Sequence, residues 1–585
     1  MRIFSRSILL FSFTLLVGLQ QGFAQTPVKV SSAKRVIEST IRERIAPVKI
    51  LWQTPDADIS NSNKLLKQGI GQASLYAPDL CIIKSTKDIK PGILLDFGKE
   101  LQGGVQIITD RWKSGQPVTI RVRFGESASE AMSDVDTIKG ATNDHAMRDF
   151  IIKVPWLGKL EVGNTGFRFV RIDLVDEDAK LALKEVNAIA VYRDLPYLGS
   201  FNCSDTLLNK IWKTGAYTVQ LNMQDYLFDG IKRDRLVWVG DMHPEVSTIN
   251  AVFGSSDVVA KSLDLSRDDT PLPDWMNGIS AYSMWWIMIQ RDLYMHNGNL
   301  PYLKQQKQYL VKLLNQLIGK VGADNSEQLD GDRFLDWPSS TNPKAVHAGL
   351  QAMMVLSLNT GAELCNDLND PETAKKCAAA VSRLKLNVPD ANGSKQAAAL
   401  LSLSGLMPAQ AANKILSADG AKRFSTFYGY YMLQAKAKAG DYDGAIDNIR
   451  TYWGAMLGLG ATTFWEDFNL DWLPNASRID ELVPAGKKDI HGDYGAYCYK
   501  GFRHSLCHGW ASGPTPWLTE HVLGIKVIAP GCKVIKIEPH LGKLTFAEGT
   551  FPTPYGVVKV KHTKMANGKI KSVITAPQQV KIIRS

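Results

Sequence analysis

Beyond its first two dozen residues the chain has no apolar run long enough to cross a bilayer, which argues against membrane insertion. Cysteine is scarce. Seven (Cys81, Cys203, Cys365, Cys377, Cys498, Cys507 and Cys532) among 585 residues are too few and too widely spaced for a disulfide framework or a zinc motif. Cys365 and Cys377 are close enough in sequence to pair across a helical hairpin, but an odd total leaves a free thiol, and buried unpaired cysteines are the simpler reading. There is no HExxH, Walker loop, GxSxG elbow or CxxC, and the histidines do not fall at metal-ligand spacing. Zinc proteolysis, nucleotide hydrolysis, serine-hydrolase chemistry and dithiol redox therefore lack support, and neither a metal nor a cofactor is expected. Acidic residues thin out toward the end, where residues 521–585 carry eleven Lys/Arg against Glu538 and Glu548. That accounts for most of the formal charge of +10 and lies in a strand-rich segment without tryptophan. It reads as lysine-bearing strand faces, with contact to an acidic polysaccharide as the alternative, and nucleic acid is a poor fit.

What is present begins with a leader. Arg2 and Arg6 precede an apolar stretch at 8–19 and the small-residue pattern Gly22-Phe23-Ala24, so a signal peptide at 1–24 and a periplasmic or secreted location are expected. Residues 25–203 alternate apolar and polar positions in short runs (VKILWQ, GILLDFG, PVTIRVRFG, FRFVRIDLVD) broken by Gly, Pro, Asn and Asp, as in a β-sandwich. At Asp205 the period changes. Leu208, Ile211, Trp212, Gly215 and Val219 share one helical face, and helical runs follow at 280–294, 301–318, 344–364, 372–384, 424–439 and 442–456. Without a repeat signature to suggest a solenoid, 204–519 is read as an all-α (α/α)6 barrel and 520–585 as a C-terminal β-sandwich. Eleven of fourteen tryptophans fall in the barrel segment.

One stretch concentrates chemistry. FDGIKRDRLVWVGDMHPE packs Asp229, Asp234, Asp241 and Glu245 together with Lys232, Arg233, Arg235, Trp238 and His243. Carboxylates accept from sugar hydroxyls and tryptophan covers a ring face, although an ion-pair network between helices would look similar. Three further segments carry candidates: GLGATTFWEDFNLDW with Trp465 and Glu466, RFLDWP with Asp336 and Trp337, and RHSLCHGWASGP with His508 and Trp510. Inverting glycoside hydrolysis needs one carboxylic acid to protonate the leaving oxygen and one carboxylate to activate water, about 6.5–9.5 Å apart. Two acidic clusters remote in sequence and joined at a barrel mouth meet that need. A polysaccharide lyase, which pairs a Tyr or His base with a cation facing a uronate, is the rival.

At these residues the sequence resembles the family 78 glycoside hydrolases, the bacterial α-L-rhamnosidases. Asp229, Asp234 and Asp241 reproduce the family's acidic spacing, with Arg235, Leu236, Trp238 and Gly240 in place. Residues 460–466 match its G-A-T-T-x-W-E segment, and 505–508 its S-L-x-H segment. The resemblance implies a glycosidase releasing terminal rhamnose from oligosaccharides or glycosides, pectic ones included, on a barrel between two sandwiches. Asp234 would be the general acid and Glu466 the base, with Asp229, Arg233, Asp241, Asp336 and His508 around the sugar and Trp238, Trp337, Trp465 or Trp510 against its ring. One position departs. Where the family carries Glu, this chain has Asp234, one methylene shorter, which leaves a working variant, Glu245 as the acid, or a non-catalytic binding module as alternatives.

Overall fold

The computed structural model describes residues 40–76, 79–134, 148–497 and 500–584; the expected leader and Cys498 lie outside them. Nine strands open the described chain: β1 Thr40–Ile45, β2 Lys49–Gln53, β3 Asp58–Ser60, β4 Cys81–Lys84, β5 Gly92–Thr109, β6 Val118–Gly125, β7 Asp149–Val154, β8 Lys159–Leu174 and β9 Lys180–Arg193. All pair antiparallel, in the order β3-β4-β9-β5-β8-β6-β7, with β1 beside β9 and β2 beside β5. β5 is long enough to change partners: Ile93–Asp96 pairs with β2, and Gly103–Thr109 with β9. Register breaks between Asp96 and Leu101 and between Gly103 and Val105 separate the halves, the local distortion by which one sheet bends around a core. That core holds Ile93, Phe97, Phe124, Phe167 and Ile172, with Phe124 edge-on to Phe167 at 5.0 Å. A single turn of helix, α1 Ala128–Met132, follows β6 and is capped by Ser127, whose side chain accepts from the Glu130 amide.

The helical domain starts where the sequence changes period. The Asp205 side chain accepts from the amides of Leu207 and Leu208 and caps α2 Thr206–Asn222, whose predicted apolar face is buried. Then come α3 Met242–Val252, α4 Asp257–Asp268, α5 Ser280–Asn297, α6 Leu300–Gly319, α7 Pro343–Asp367, α8 Pro371–Leu384, α9 Lys395–Leu403, α10 Ala409–Ser417, α11 Gly429–Lys438 and α12 Tyr442–Gly458. Asn299, Asn342, Asp370, Ser394 and Asp441 cap five of them through their side chains, each worth about 1 kcal/mol. The architecture is the expected helical barrel between sheet domains. α11 starts later than the expected 424, because Ser425 and Thr426 spend their hydroxyls on Asp336 and the Glu466 carbonyl instead of entering the helix. No helix among the described residues is long and apolar enough to cross a membrane.

After the short helix α13 Pro514–Trp517 the chain returns to strands. β11 Ile525–Ala529, β12 Val534–Ile537 and β16 Lys581–Arg584 form one sheet, and β13 Phe546–Thr553, β14 Gly556–Lys564 and β15 Ile570–Thr575 join β10 Ser200–Cys203 in another. β10 falls on the N-terminal side of the expected boundary at 203 yet pairs with β13, a non-local pairing that local patterning cannot reveal. On β14, Val558, Val560 and His562 are buried while Lys559 and Lys561 face solvent. The six described cysteines are buried and free.

Candidate active site

The loop between α2 and α3 carries the acidic cluster. The Asp229 amide donates to the Leu236 carbonyl at 3.1 Å, and the Leu236 amide donates to Asp229 Oδ1 at 3.0 Å, closing residues 229–236 on themselves. Inside that closure Asp234 and Arg235 both take left-handed φ, 52° and 54°, an uncommon state for side chains of their kind and one that clusters at functional sites. Gly240 has a separate reason. A Cβ there would stand 2.3 Å from the Tyr282 ring, and that ring must pack close for its hydroxyl to reach Asp241 Oδ1 at 2.7 Å.

Two extended segments from late in the helical domain meet this loop. The Glu466 amide donates to the Ser505 carbonyl, the His508 amide to Phe464, and the Gly509 amide to Asp229. Glu466 Oε2 accepts from the Ser505 amide at 3.0 Å, and its Oε1 from Arg233 Nη2 at 3.2 Å. The other arm of the same guanidinium, Nη1, donates to Asp234 Oδ1 at 3.1 Å. One planar cation thus holds two carboxylates, which bounds those two oxygens to within about 9 Å of each other. His508 Nε2 lies 3.4 Å from Glu466 Oε1, 3.7 Å from Asp229 Oδ2 and 3.9 Å from Asp241 Oδ2.

This junction opens into a cavity of about 400 Å³, monosaccharide to disaccharide in scale. Asp229, Asp234, Asp241 and His508 form its polar end. Trp238, Tyr282, Phe334, Trp337 and Trp510 form an aromatic wall, with Trp510 stacked flat on Phe427 at 4.8 Å. Burial pushes His508 down to about 3, helped by the Arg233 charge, so the imidazole is neutral at ordinary pH. Burial also pushes Asp229 well up, reinforced by Asp241 and Asp234, and does the same to Asp241 against the pull of the Tyr282 hydroxyl. The polar end thus offers carboxyl oxygens and a neutral imidazole to the hydroxyls of a ligand.

Three family models match in chain order: the glycosyl hydrolase family 78 α-rhamnosidase N-terminal domain over residues 75–190, the bacterial α-L-rhamnosidase six-hairpin glycosidase domain over 196–396, and the bacterial α-L-rhamnosidase C-terminal domain over 524–583. The chain belongs to glycoside hydrolase family 78. An α-L-rhamnosidase of Alteromonas sp. (strain LOR) is 25% identical over 575 residues, spanning 88% of this chain and 59% of its own length. Among solved structures, a family 78 rhamnosidase of Bacillus sp. GL1 superposes with a TM-score of 0.71 at 23% identity, covering 89% of this chain and 55% of that one. A rhamnosidase from Klebsiella oxytoca with rhamnose bound gives 0.65 at 18% identity, over 82% of this chain and 96% of that one. The chain thus spans little more than half the length of the Alteromonas and Bacillus relatives.

Not every residue expected at a family 78 sugar site lines the cavity. Asp229, Asp234, Trp238, Asp241, Trp337, His508 and Trp510 do; Glu466 and Arg233 stand just behind the wall, on His508 and Asp234. Asp336 does not. Its carboxylate accepts from Ser339 Oγ at 2.7 Å, Ser425 Oγ at 2.6 Å and Gln396 Nε2 at 3.2 Å, and it caps the turn Trp337–Ser339. Trp465 alternates away from Glu466 and packs edge-on against Phe468 at 5.7 Å, buried in the barrel core. Glu245 is fully buried on α3 against Gly509, outside the cavity lining, and burial keeps its carboxyl well above the usual range. Tyr282, Phe334, Asn277, Asp332 and Arg333 line the cavity without having stood out in the sequence. By distance, Glu126, Glu130 and His491 could hold a metal ion, but Lys232 Nζ already lies 3.1 Å from Glu126 and 3.3 Å from Glu130 and supplies the positive charge itself.

Proposed function

We propose that this chain is an exported, inverting α-L-rhamnosidase that releases terminal rhamnose from oligosaccharides or glycosides, pectic ones among them. The observation that carries the reading is the pair of carboxylates on one guanidinium: Asp234 on Nη1 of Arg233 and at the cavity rim, Glu466 on Nη2 and behind His508. Asp234 acts as the general acid on the leaving oxygen. Glu466 acts as the general base, taking a proton from the attacking water. Asp229, Asp241 and His508 hold sugar hydroxyls, while Trp238, Trp337 and Trp510 face the ring and the C6 methyl group. The similar proteins' own names support the sugar, and the apolar run at 8–19 supports export to the periplasm or beyond.

The lyase alternative loses ground at the cavity, where Asp229, Asp234, Asp241 and Asp332 oppose a single Arg333, a poor setting for an anionic uronate. The test is hydrolysis of 4-nitrophenyl α-L-rhamnoside by purified protein, beside the α-L-fucoside and a uronide assayed by ultraviolet absorbance. Proton NMR of the first-formed sugar follows in real time. Release of nitrophenol with inverted anomeric configuration is expected. A retained configuration would remove the water-mediated role of Glu466, and an absorbance rise on the uronide alone would favour the lyase.

A further inference from the structure

A second, larger cavity of about 530 Å³ lies between β5, β8 and β9 of the N-terminal sheet and the 224–235 segment of the barrel. Among the described residues, Asp234 alone lines both this cavity and the aromatic-walled one. The chain runs from one to the other at consecutive positions, Phe228 facing the larger cavity and Asp229 the smaller. A general acid must touch the glycosidic oxygen, and that oxygen sits at the boundary between the sugar being released and the group it leaves behind. A carboxyl shared by two adjoining cavities occupies such a boundary. We infer that the groove between sheet and barrel is the leaving-group subsite, and that it takes a neutral, hydroxyl-rich sugar; this rests on the proposed glycosidase reading.

The lining sets the ligand class. The floor consists of Gly103, Gly104 and Gly163, at the point where β5 and β8 break register, so it presents backbone rather than side chains. A Cβ on Gly104 would stand 2.3 Å from the Gly163 carbonyl, and one on Gly163, whose φ is 89°, would stand 2.5 Å from the buried Phe124 ring; the close strand packing beneath the groove therefore requires glycine at both positions. On the rim, Arg42 Nη2 is paired with Glu161 Oε2 at 2.5 Å, and Arg235 donates to the Asn164 carbonyl. With Asp225 and Asp234 added, the groove has no cationic excess to attract a uronate. Its apolar surface is limited to Phe228, Ile189 and Val191, enough to cover one face of a pyranose and too little to enclose a polyphenol. Alternating donors and acceptors over a glycine floor suit sugar hydroxyls.

The experiment separates the groove from the sugar pocket. Rates are measured on α-L-rhamnosyl fluoride, whose leaving group does not fill a subsite, and on a neutral rhamnosyl-glucose disaccharide, for the wild type, Phe228→Ala and Arg42→Ala. In parallel, Glu466→Gln protein, alone and combined with each substitution, is titrated calorimetrically with rhamnose and with the disaccharide. The ratio of kcat/KM for disaccharide to that for fluoride is expected to fall about tenfold in the variants. The disaccharide is expected to bind about tenfold more tightly than rhamnose, an advantage the added substitutions remove. An unchanged ratio, or equal binding of the two sugars, overturns the subsite. So does a wild-type preference for a rhamnosyl-uronate or a flavonoid rhamnoside over the neutral disaccharide. If no rhamnoside is turned over and the binding advantage is present, the hydrolase reading fails and the groove stands.

Discussion

Two buried acid clusters lie a few residues apart in this molecule and solve the same electrostatic problem in opposite ways. In the rear cluster Lys232 donates to the carbonyls of Phe502 and His504 and pairs with Glu126 and Glu130, while Glu126 also accepts from the Leu506 amide. Burial raises Glu126 to about 7 even though the Lys232 ammonium pulls it down. In the forward cluster Asp229, Asp241 and Glu466 surround a neutral His508, and Arg233 is the nearby cation, split between Glu466 and Asp234. The rear cluster is closed and paired. The forward one opens on a cavity and leaves its acids with too little positive charge, the imbalance expected where a site is tuned for proton transfer. The two are joined through the 502–508 segment: Lys232 and Glu126 hold its backbone, and its Ser505 amide holds Glu466.

The contrast implies that disturbing the rear cluster costs stability and disturbing the forward one costs rate. The largest effect belongs to Lys232→Met, which strands two buried carboxyl groups and two carbonyls. A loss of about 3–5 kcal/mol is expected, read as the denaturant midpoint. The sign of its pH dependence follows from Glu126. Without the ammonium its pKa rises further above the unfolded value, so the folded state holds a proton the unfolded chain has lost, and stability falls as pH rises through that window. The penalty should therefore be larger near pH 8 than near pH 5, and a pH-independent loss would show that Lys232 acts by packing alone.

Glu466→Gln probes the forward cluster. The amide keeps the shape and can still accept from the Ser505 amide, but it cannot take a proton, so turnover should fall about a hundredfold or more while rhamnose binding holds; its NH2 group then faces the Arg233 guanidinium, which costs about 1–2 kcal/mol of stability. A variant keeping more than about a tenth of the rate would remove Glu466 from the base role. Asp234→Asn should be selective: about a hundredfold loss on a disaccharide and less than about tenfold on an activated aryl rhamnoside, whose leaving group needs little protonation. Equal losses across a leaving-group series would make Asp234 a sugar ligand rather than the acid.

What was legible in the sequence follows from how local each signal is. Caps such as Asp205 and the tight segments 229–241, 460–466 and 505–508 write their geometry into neighbouring residues, so both halves of the forward cluster could be read before their meeting was visible. The helices α3, α4, α9 and α10 went unread, and the last two are only nine residues each. Tyr282 lies on α5, which is apolar nearly all round, so a cavity-facing aromatic there looks like any core residue. Glu126 precedes and Glu130 lies within a five-residue helix too short for periodicity, although a Ser three positions before a Glu is a capping signature that marks it. Trp465 packs into the barrel core while its neighbour Glu466 faces His508, because neighbouring residues of an extended segment face opposite ways, which composition alone does not reveal.

Asp336 yields the smallest effect and the sharpest distinction between a carboxylate that builds the site and one that works in it. A Trp beside an Asp in a loop is the pattern of a sugar ligand, yet here the carboxylate is consumed by Ser339, Ser425 and Gln396, and burial raises its pKa against those hydrogen bonds. Ser425 also caps the turn entering α11, so the pair anchors Trp337 on one side and α11 on the other. Asp336→Asn preserves volume and most acceptor capacity but turns an NH2 group toward one of those donors. A serine hydroxyl can rotate to accept from it, whereas the Gln396 amide cannot without flipping. A cost of about 1–2 kcal/mol in stability is expected, with kcat/KM on rhamnosides within about twofold of wild type. If Asp336 gripped a sugar hydroxyl, the same substitution would instead raise KM severalfold at unchanged melting temperature, and the carboxylate would return to the forward cluster.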